Sequence, residues 1–403
     1  MNFKVNHLNE IDYNIVQLSA VFPELKEYET KGADYKQFEV LYQQDQVLLC
    51  ALKTQSRIEF LHMDLEKETF EAFANLTGYE DETISLDVRE MRMVYVALAG
   101  EEEVRHGVFD SAWGAFKHSF YRPNNEDVLF LNHDYCLISK SDNAWQFEND
   151  QWQYHKDQDE LYLYEVATKS MHRIYDERLI NTWHTKENHH LVTRGEKTYL
   201  VNVPFNMDPY EYEEIMKADK TPQQVCDANI SFINFEQFIQ EVKAGKKELS
   251  LETLLSFEDD NALYTNMIEL ETETRLYGLF DFTEKSITIY KLNDALMVLD
   301  ELTELSFEDY DSSYNIVLNK EDVVVHQENK VDLLNTGQSI KTDNHETFFY
   351  QDGKHFFFTD WTEDEQGENY REFLIVKNSQ GETVYRKEGF FIMVEGLKLL
   401  LEI

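Results

Sequence analysis

A hairpin-like pattern recurs along this chain, and a repeated supersecondary unit narrows the choice of fold more than composition does. The segment LYLYEVATKSMHRIYD, residues 161–176, has two short extended runs around a polar turn, Ala167 to Ser170. Side chains that alternate with a period of two are typical of a strand, and two such runs predict a hairpin. Five further segments have the same form, namely 57–73, 104–120, 275–292, 330–342 and 371–387.

The spacing of these hairpins is nearly regular. Their turns fall near residues 66, 111, 168, 284, 336 and 380, so the successive intervals are 45, 57, 116, 52 and 44. Four intervals lie near fifty residues, and the interval of 116 is about two such units. It therefore predicts a further copy between residues 168 and 284. One strand of that copy would be KTYLVNVPF (197–205), with its partner displaced by an insertion.

Each hairpin is preceded by other strand-like runs. The clearest are two apolar runs around a polar turn in 38–52, 127–140 and 345–361. Two hairpins per repeat give four strands, which is one blade of a β-propeller. We therefore predict an all-β fold, a propeller of about seven four-stranded blades, with six or eight as alternatives. Residues 1–403 would form a single propeller domain.

One region, residues 209–255, interrupts the strand pattern. Its apolar residues Phe235, Phe238, Ile239 and Val242 recur at helical spacing, and Ala244-Gly245-Lys246 would end that helix. We predict a short helical insertion over 209–255, of one or two helices between blades. This insertion would either only pack against the sheets, or act as a cap or as a docking element for a partner.

The hairpin pattern also resembles a known group of proteins. An aromatic-aliphatic strand, a D/E-x-x-T-K turn such as EVATK (165–169) and a second strand look like the outer hairpin of bacterial propellers of the TolB and prolyl-oligopeptidase-propeller kind. The resemblance is architectural, covers most of the chain loosely and implies no specific family. The WD40 signature and the kelch double glycine are absent, and no catalytic residue is carried over.

The charge limits the kinds of partner. The chain has 37 Lys and Arg against 78 Asp and Glu, which gives a net charge of −41. Such a chain repels nucleic-acid phosphates and anionic membrane surfaces, because both recruit clustered basic residues. The acids are spread along the sequence. They indicate a highly solvated surface, an acidic face for a basic partner, or a protein that imitates nucleic acid.

The expected compartment is the cytoplasm. The N-terminal residues MNFKVNHLNEIDYNIV contain no basic stretch followed by an apolar run, and no run of about 18 apolar residues occurs. Cys50, Cys136 and Cys226 are few and far apart, which suits a reducing environment and predicts no disulfide framework or zinc site.

No motif in the sequence predicts catalysis. His184, His189 and His190 lie close together in the sequence, but adjacent histidines on a strand point to opposite faces and do not readily share one ion. The acidic runs Glu363-Asp364-Glu365 and Asp309 with Asp311 lack the EF-hand order for calcium. We predict no catalytic residue, no metal ligand and no cofactor.

Aromatic residues are abundant, with 27 Phe, 23 Tyr and 5 Trp, and most are expected to pack between blades. The tryptophans that could instead line a protein- or sugar-binding surface are Trp113, Trp145, Trp152, Trp183 and Trp361. Trp145 and Trp152 belong to one polar stretch. Together with Phe235 and Phe238 of the predicted helix, they form the candidate interaction surface.

The functional hypothesis from sequence is a non-catalytic cytoplasmic scaffold that presents an acidic surface to a basic protein partner. Direct binding to nucleic acid or to a membrane is not expected. Two alternatives stay open, since one propeller fold supports many functions. The first is an enzyme or sugar-binding module that uses the central channel. The second is an inhibitor or immunity-type protein that mimics nucleic acid.

Overall fold

The structure is a computed structural model of the 403-residue chain. It describes residues 1–23, 25, 38–53, 57–77, 83–90, 93–100, 102–110, 115–140, 145–148, 151–154, 160–180, 189–194, 196–202, 229–256, 262–267, 276–281, 286–293, 298–306, 315–319, 322–327, 330–333, 337–343, 345–363 and 370–403. All structural statements below concern these residues.

The described residues form a β-propeller fold built from four-stranded sheets. The first strands are β1 (Asn6–Leu8) and β2 (Tyr13–Gln17). Sheet 1 contains β3 (Phe38–Gln44), β4 (Val47–Lys53), β5 (Arg57–Asp64) and β6 (Thr69–Thr77). Sheet 2 contains β7 (Thr83–Glu90), β8 (Met93–Ala99), β9 (Glu103–Asp110) and β10 (Ala115–Pro123).

The next two sheets carry insertions. Sheet 3 contains β11 (Asp127–Phe130), β12 (Tyr135–Lys140), β15 (Glu160–Glu165) and β16 (Ser170–Ile174). Between β12 and β15 lies a separate hairpin, β13 (Trp145–Glu148) with β14 (Gln151–Tyr154). Sheet 4 contains β17 (His189–Arg194), β18 (Lys197–Asn202), β19 (Asn229–Asn234) and β20 (Glu252–Ser256), with helix α1 (Phe235–Lys243) between its last two strands.

The remaining strands follow the same arrangement. Sheet 5 contains β21 (Ala262–Met267), β22 (Leu276–Asp281), β23 (Ser286–Asn293) and β24 (Val298–Ser306). Sheet 6 contains β25 (Asn315–Asn319), β26 (Asp322–Gln327), β27 (Lys330–Leu333) and β28 (Gln338–Lys341). Sheet 7 contains β29 (Thr347–Gln351), β30 (His355–Glu363), β31 (Tyr370–Asn378) and β32 (Thr383–Glu388). The last strands are β33 (Phe391–Val394) and β34 (Leu399–Glu402).

Most of the predicted hairpins are the third and fourth strands of a sheet. Segment 161–176 forms β15 and β16 of sheet 3, and Lys169 takes the left-handed conformation at its turn, with φ +56°. The copy predicted between 168 and 284 is sheet 4, whose third strand lies beyond an insertion after β18. One assignment was wrong. The turn near 284 joins β22 to β23, the second and third strands of sheet 5, because a local turn signal does not reveal which pair of strands it joins.

An eighth sheet joins segments from opposite ends of the sequence. In sheet 8 the order is β1-β2-β34-β33, and β2 pairs with β34 in parallel, with Asn14 opposite Leu399 and Gln17 opposite Glu402. The hairpin pattern counted seven positions. The described residues show eight four-stranded sheets, because no hairpin turn connects β2 to β34.

Helix α1 has a capping residue at each end, of which only the one at its C-terminal end was predicted from the sequence. The Asn234 side-chain oxygen accepts a hydrogen bond from the Gln237 N–H at 3.2 Å. Gly245, with φ +69°, supplies the left-handed residue just after the helix. The expected range of 209–255 was too wide, however. Strands β19 and β20 lie within it, so the described helix is an insertion within sheet 4 and not between two sheets. Residues 209–228 lie outside the described part.

The chain divides into two compact units, Met1–Tyr121 with Asn319–Ile403, and Arg122–Leu318. In the first unit, sheet 8 packs on sheet 7 through Tyr13 and Phe357, whose ring centroids are 5.0 Å apart. Its other face packs on sheet 1, and sheet 1 packs on sheet 2, where Phe60 stacks on Phe109 at 5.0 Å. These contacts confirm, for this unit, that aromatic rings fill the space between neighbouring sheets.

In the second unit, sheet 3 packs against sheet 4 and against helix α1. The buried side chains of this cluster are Leu129, Leu131, Leu137, Leu161, Leu163, Ile174, Leu179, Leu200, Ile233, Phe235, Phe238, Val242 and Leu249. Over the residues described in both units, no helix combines the length and apolar character that a membrane crossing requires.

Candidate functional site

The two phenylalanines predicted to face a partner belong to the core. Phe235 is 6% exposed and Phe238 is fully buried, and both pack beneath helix α1 against sheets 3 and 4. The helical spacing identified one apolar stripe, but an amphipathic helix on a sheet buries that stripe. Phe235 and Phe238 are therefore not available as an interaction surface in this structure.

The two tryptophans of the polar stretch lie on the extra hairpin of sheet 3. Trp145 is opposite Tyr154, and Trp152 is opposite Phe147 in the register of β13 and β14. The side chains of Trp145 and Trp152 lie outside the described part, as do Trp113 and Trp183. Their exposure stays a prediction.

The histidine cluster is placed only in part. His189 and His190 begin β17 and are both buried, and the Nε2–H of His189 donates to the Leu179 carbonyl oxygen at 3.0 Å. His184 lies outside the described residues, together with Asp309, Asp311, Asp364 and Glu365. Among the residues described, no group of three or more His, Cys, Asp and Glu side chains is arranged to hold a metal ion.

A buried carboxylate holds the segment that follows helix α1. Asp176 accepts hydrogen bonds from Arg178 Nε at 2.8 Å, from Arg178 Nη2 at 2.6 Å and from the Leu249 N–H at 2.7 Å. Burial acts to raise the pKa of Asp176, but these bonds outweigh it and lower that pKa. Arg178 also donates to the Leu249 carbonyl at 2.8 Å. Since the bonds to Asp176 come from within the chain, we assign the cluster a structural role.

A second candidate surface lies at one end of sheet 7, where β30 and β31 extend beyond β29. Strands β30 and β31 are nine residues long and pair along their whole length, from His355–Asn378 to Glu363–Tyr370. Strand β29 pairs with β30 only as far as Thr359. Beyond that point, β30 and β31 continue without β29 as an extension, which we call the sheet 7 ribbon (360–363 and 370–372). At its base the Gly389 N–H, which follows β32, donates to the Glu372 carbonyl oxygen at 2.9 Å.

The sheet 7 ribbon places a tryptophan beside a glutamate. Trp361 and Glu372 are directly opposite each other in the register, so their side chains lie on one face. Trp361 is 42% exposed, and the His345 ring lies edge-on to it with centroids 5.9 Å apart. Glu372 is half-buried, and this burial raises the pKa of its carboxyl group.

The arginines near this ribbon are engaged on the opposite face. Arg371 precedes Glu372 in the strand and therefore points the other way, where it lies 3.8 Å from Glu388. Arg386 lies 3.3 Å from Asp360 and covers the Phe373 ring at 4.4 Å. On the same face as Glu372, Lys387 is bound to Glu402 at 2.6 Å. Within the described part of the chain, Glu372 has no ion pair.

Comparison with known proteins identifies no family for this chain. No protein-family model matches the chain, and no curated protein matches it. A solved prolyl endopeptidase is similar over 87% of this chain and 50% of its own, with 7% identity and a TM-score of 0.46. The propeller domain of the Trilobed protease from Pyrococcus furiosus is similar over 74% of this chain and 78% of its own, with 11% identity and a TM-score of 0.37.

A third similar structure is a quinonprotein alcohol dehydrogenase-like protein from Bacteroides thetaiotaomicron. It shares 10% identity over 85% of this chain and 82% of its own, with a TM-score of 0.39. No family and no activity is thus assigned to this chain by comparison. The function therefore has to be argued from this chain's own residues.

Sequence reasoning included Trp361 among five candidate tryptophans but missed Glu372. A signal was present in REFLIV (371–376), because Glu372, Leu374 and Val376 share one strand face. Leu374 and Val376 are buried against sheet 8. An acidic residue that continues an apolar face marks a position where a charge is held close to the core.

Proposed function

We propose that this chain is a non-catalytic, cytoplasmic propeller that acts as a protein-interaction scaffold and presents an acidic surface to a basic partner. The observation that carries the proposal is the excess of carboxylates over the cations available to pair with them. The chain has 78 acids and 37 bases, so even complete pairing would leave 41 carboxylates without an internal partner.

The internal ion pairs support this reading. At least fifteen Lys and Arg side chains in the described part lie close to a carboxylate of the same chain. Some of these pairs are at hydrogen-bond distance, such as Lys53 with Glu39 at 2.8 Å and Lys243 with Glu165 at 2.9 Å. These fifteen cations are therefore engaged within the fold, and the excess charge of the chain, −41, is negative.

A surface of one sign favours a partner of the other. Complementary charge accelerates association and selects among partners, more than it adds raw affinity. A rigid set of packed sheets suits such a role because it presents charges and exposed rings in fixed positions. Within each unit, neighbouring sheets are joined by buried apolar side chains.

The test is binding of a defined basic probe. Isothermal titration calorimetry with a short arginine-only peptide should give saturable binding that weakens strongly from about 0.1 M to about 1 M salt, as the Debye length shortens from about 10 Å to about 3 Å. A glutamate-only peptide of equal length is the control and should not bind. If the arginine peptide also fails to bind at low salt, or binds without saturation, the proposal is wrong.

A further inference from the structure

The sheet 7 ribbon has two side chains that together could bind one positively charged side chain. Trp361 presents part of its ring to solvent, and Glu372 lies directly across the strand pair on the same face. Opposite residues in an antiparallel pair have Cβ atoms about 5 Å apart, so one ligand group can touch both side chains. A tryptophan ring face and a carboxylate both attract a positively charged group, and at this spacing one such group can contact both.

Glu372 supplies the charge. A half-buried carboxylate interacts with a cation more strongly than an exposed one, because less water screens the interaction. Among the described residues no internal cation pairs with Glu372, whereas Glu388 on the opposite face lies near Arg371. A partly desolvated carboxylate without a paired cation is strongly stabilised when a ligand supplies that cation.

Trp361 supplies the second contact. Tryptophan is the most effective side chain for cation–π attraction, which acts within about 6 Å of the ring and favours arginine over lysine. The 42% exposure of Trp361 leaves ring surface accessible while the His345 edge contact helps to fix its orientation. A ring held in one orientation loses less entropy on binding than a mobile one.

We propose that Trp361 and Glu372 bind one arginine or lysine side chain of the basic partner, with Glu372 forming the ion pair and Trp361 the ring contact. This inference rests on the proposed function and locates one contact within it. The overall charge of −41 is the complement that such a partner requires. The site would bind a short basic segment at one defined position, on a surface whose other acidic residues are widely spread.

The experiment compares two substitutions with two matched controls. Binding of the arginine-only peptide and of a lysine-only peptide is measured for Glu372→Gln and Trp361→Ala. Glu388→Gln removes the same charge from the opposite face of sheet 7, and Tyr121→Ala removes an exposed ring that is outside the ribbon. The melting temperature of each variant shows that it is folded, and Trp361→Phe tests the site with an aromatic ring retained.

We expect Glu372→Gln and Trp361→Ala each to weaken binding by about 3- to 30-fold, while both controls change it by less than about twofold. Trp361→Phe should recover part of the loss. If wild type binds but the two ribbon variants behave like the controls, this site is wrong and the scaffold proposal stands. If wild type binds neither peptide at low salt, the scaffold proposal fails and the site fails with it.

Discussion

Lys377 of β31 and Glu346, the residue before β29, form a deeply buried ion pair. Their side chains are 7% and 4% exposed, and the Lys377 ammonium donates to the Glu346 carboxylate at 2.5 Å. It also donates to the Lys341 carbonyl at 3.2 Å and lies 5.3 Å from the centre of the Phe358 ring. The Asp343 N–H donates to the same carboxylate at 2.8 Å. The connection from β28 to β29 is thus tied to β31 through the buried ammonium group of Lys377.

Removing one member of this pair should be far more harmful than removing both. Lys377→Met leaves a buried carboxylate without its cation, and we expect a loss of about 3–5 kcal/mol in the free energy of unfolding. The double variant Lys377→Met with Glu346→Leu should recover most of that loss. Chemical denaturation measures both values.

Lys67→Met is the matched control, since Lys67 pairs with Asp64 at an exposed hairpin turn. Exposed pairs contribute at most about 1 kcal/mol, so this variant should remain close to wild type. Equal losses in Lys67→Met and Lys377→Met would contradict the assignment of a special role to the buried pair.

At the scale of elements, the last turn of helix α1 contains a cluster of hydrogen bonds around Glu241. The Glu241 carboxylate accepts from Gln237 Nε2 at 3.0 Å, from Lys246 Nζ at 2.8 Å, and from both the N–H and the hydroxyl of Ser250 at 2.8 Å. Burial acts to raise the pKa of Glu241, but these four hydrogen bonds outweigh it and lower the pKa to about 2. The ionised carboxylate therefore fixes the turn between α1 and β20.

This arrangement predicts a local acid sensitivity. The pKa of Glu241 falls from an ordinary value of 4.5 to about 2 on folding, so its stabilisation is complete above 4.5 and is lost as pH drops toward 2. The protection factor of the Ser250 amide in hydrogen exchange should therefore fall across that range. The amide of Leu137, in the centre of sheet 3, serves as the internal reference.

Glu241→Gln separates this effect from general acid unfolding. The variant should show low Ser250 protection already at neutral pH and little further change on acidification. If Ser250 loses protection in the variant with the same pH dependence as in wild type, Glu241 is not the titrating group.

Elements defined by local patterns could be predicted from the sequence, and those defined by distant pairing could not. The β15–β16 hairpin and the end of α1 at Gly245 follow from alternation and turn residues. The pairing of β2 with β34 does not, because its partners are almost 400 residues apart and share no turn. Helical spacing placed Phe238 on the apolar face of a helix but did not show whether that face is buried or exposed. The position of Glu372 opposite Trp361 could not be predicted either, because it depends on the strand register.

For the whole molecule, the dominant electrostatic property is self-repulsion. A net charge of −41 opposes the compact state, whereas exposed internal ion pairs each contribute at most about 1 kcal/mol. Salt weakens both effects, and with 41 acids in excess the repulsion is the larger of the two.

Added salt should therefore stabilise this protein. We expect its melting temperature to rise between about 0.1 M and about 1 M potassium chloride, with most of the change at the low end, where the Debye length shortens fastest. Differential scanning calorimetry measures the effect, and an uncharged osmolyte at matched osmolality is the control. A melting temperature that falls with salt would show that the internal pairs outweigh the repulsion.

The parallel pairing of β2 with β34 has a consequence for synthesis on the ribosome. Tyr13, Ile15 and Val16 are synthesised long before their partner strand, which begins at Leu399. At about 5–20 residues per second, roughly 20–80 s of translation separate the two strands. During that time an apolar strand that is buried in the finished fold lacks its neighbour. Sheet 8 therefore forms only after β34 has been made, later in translation than sheets 1 to 7 can form.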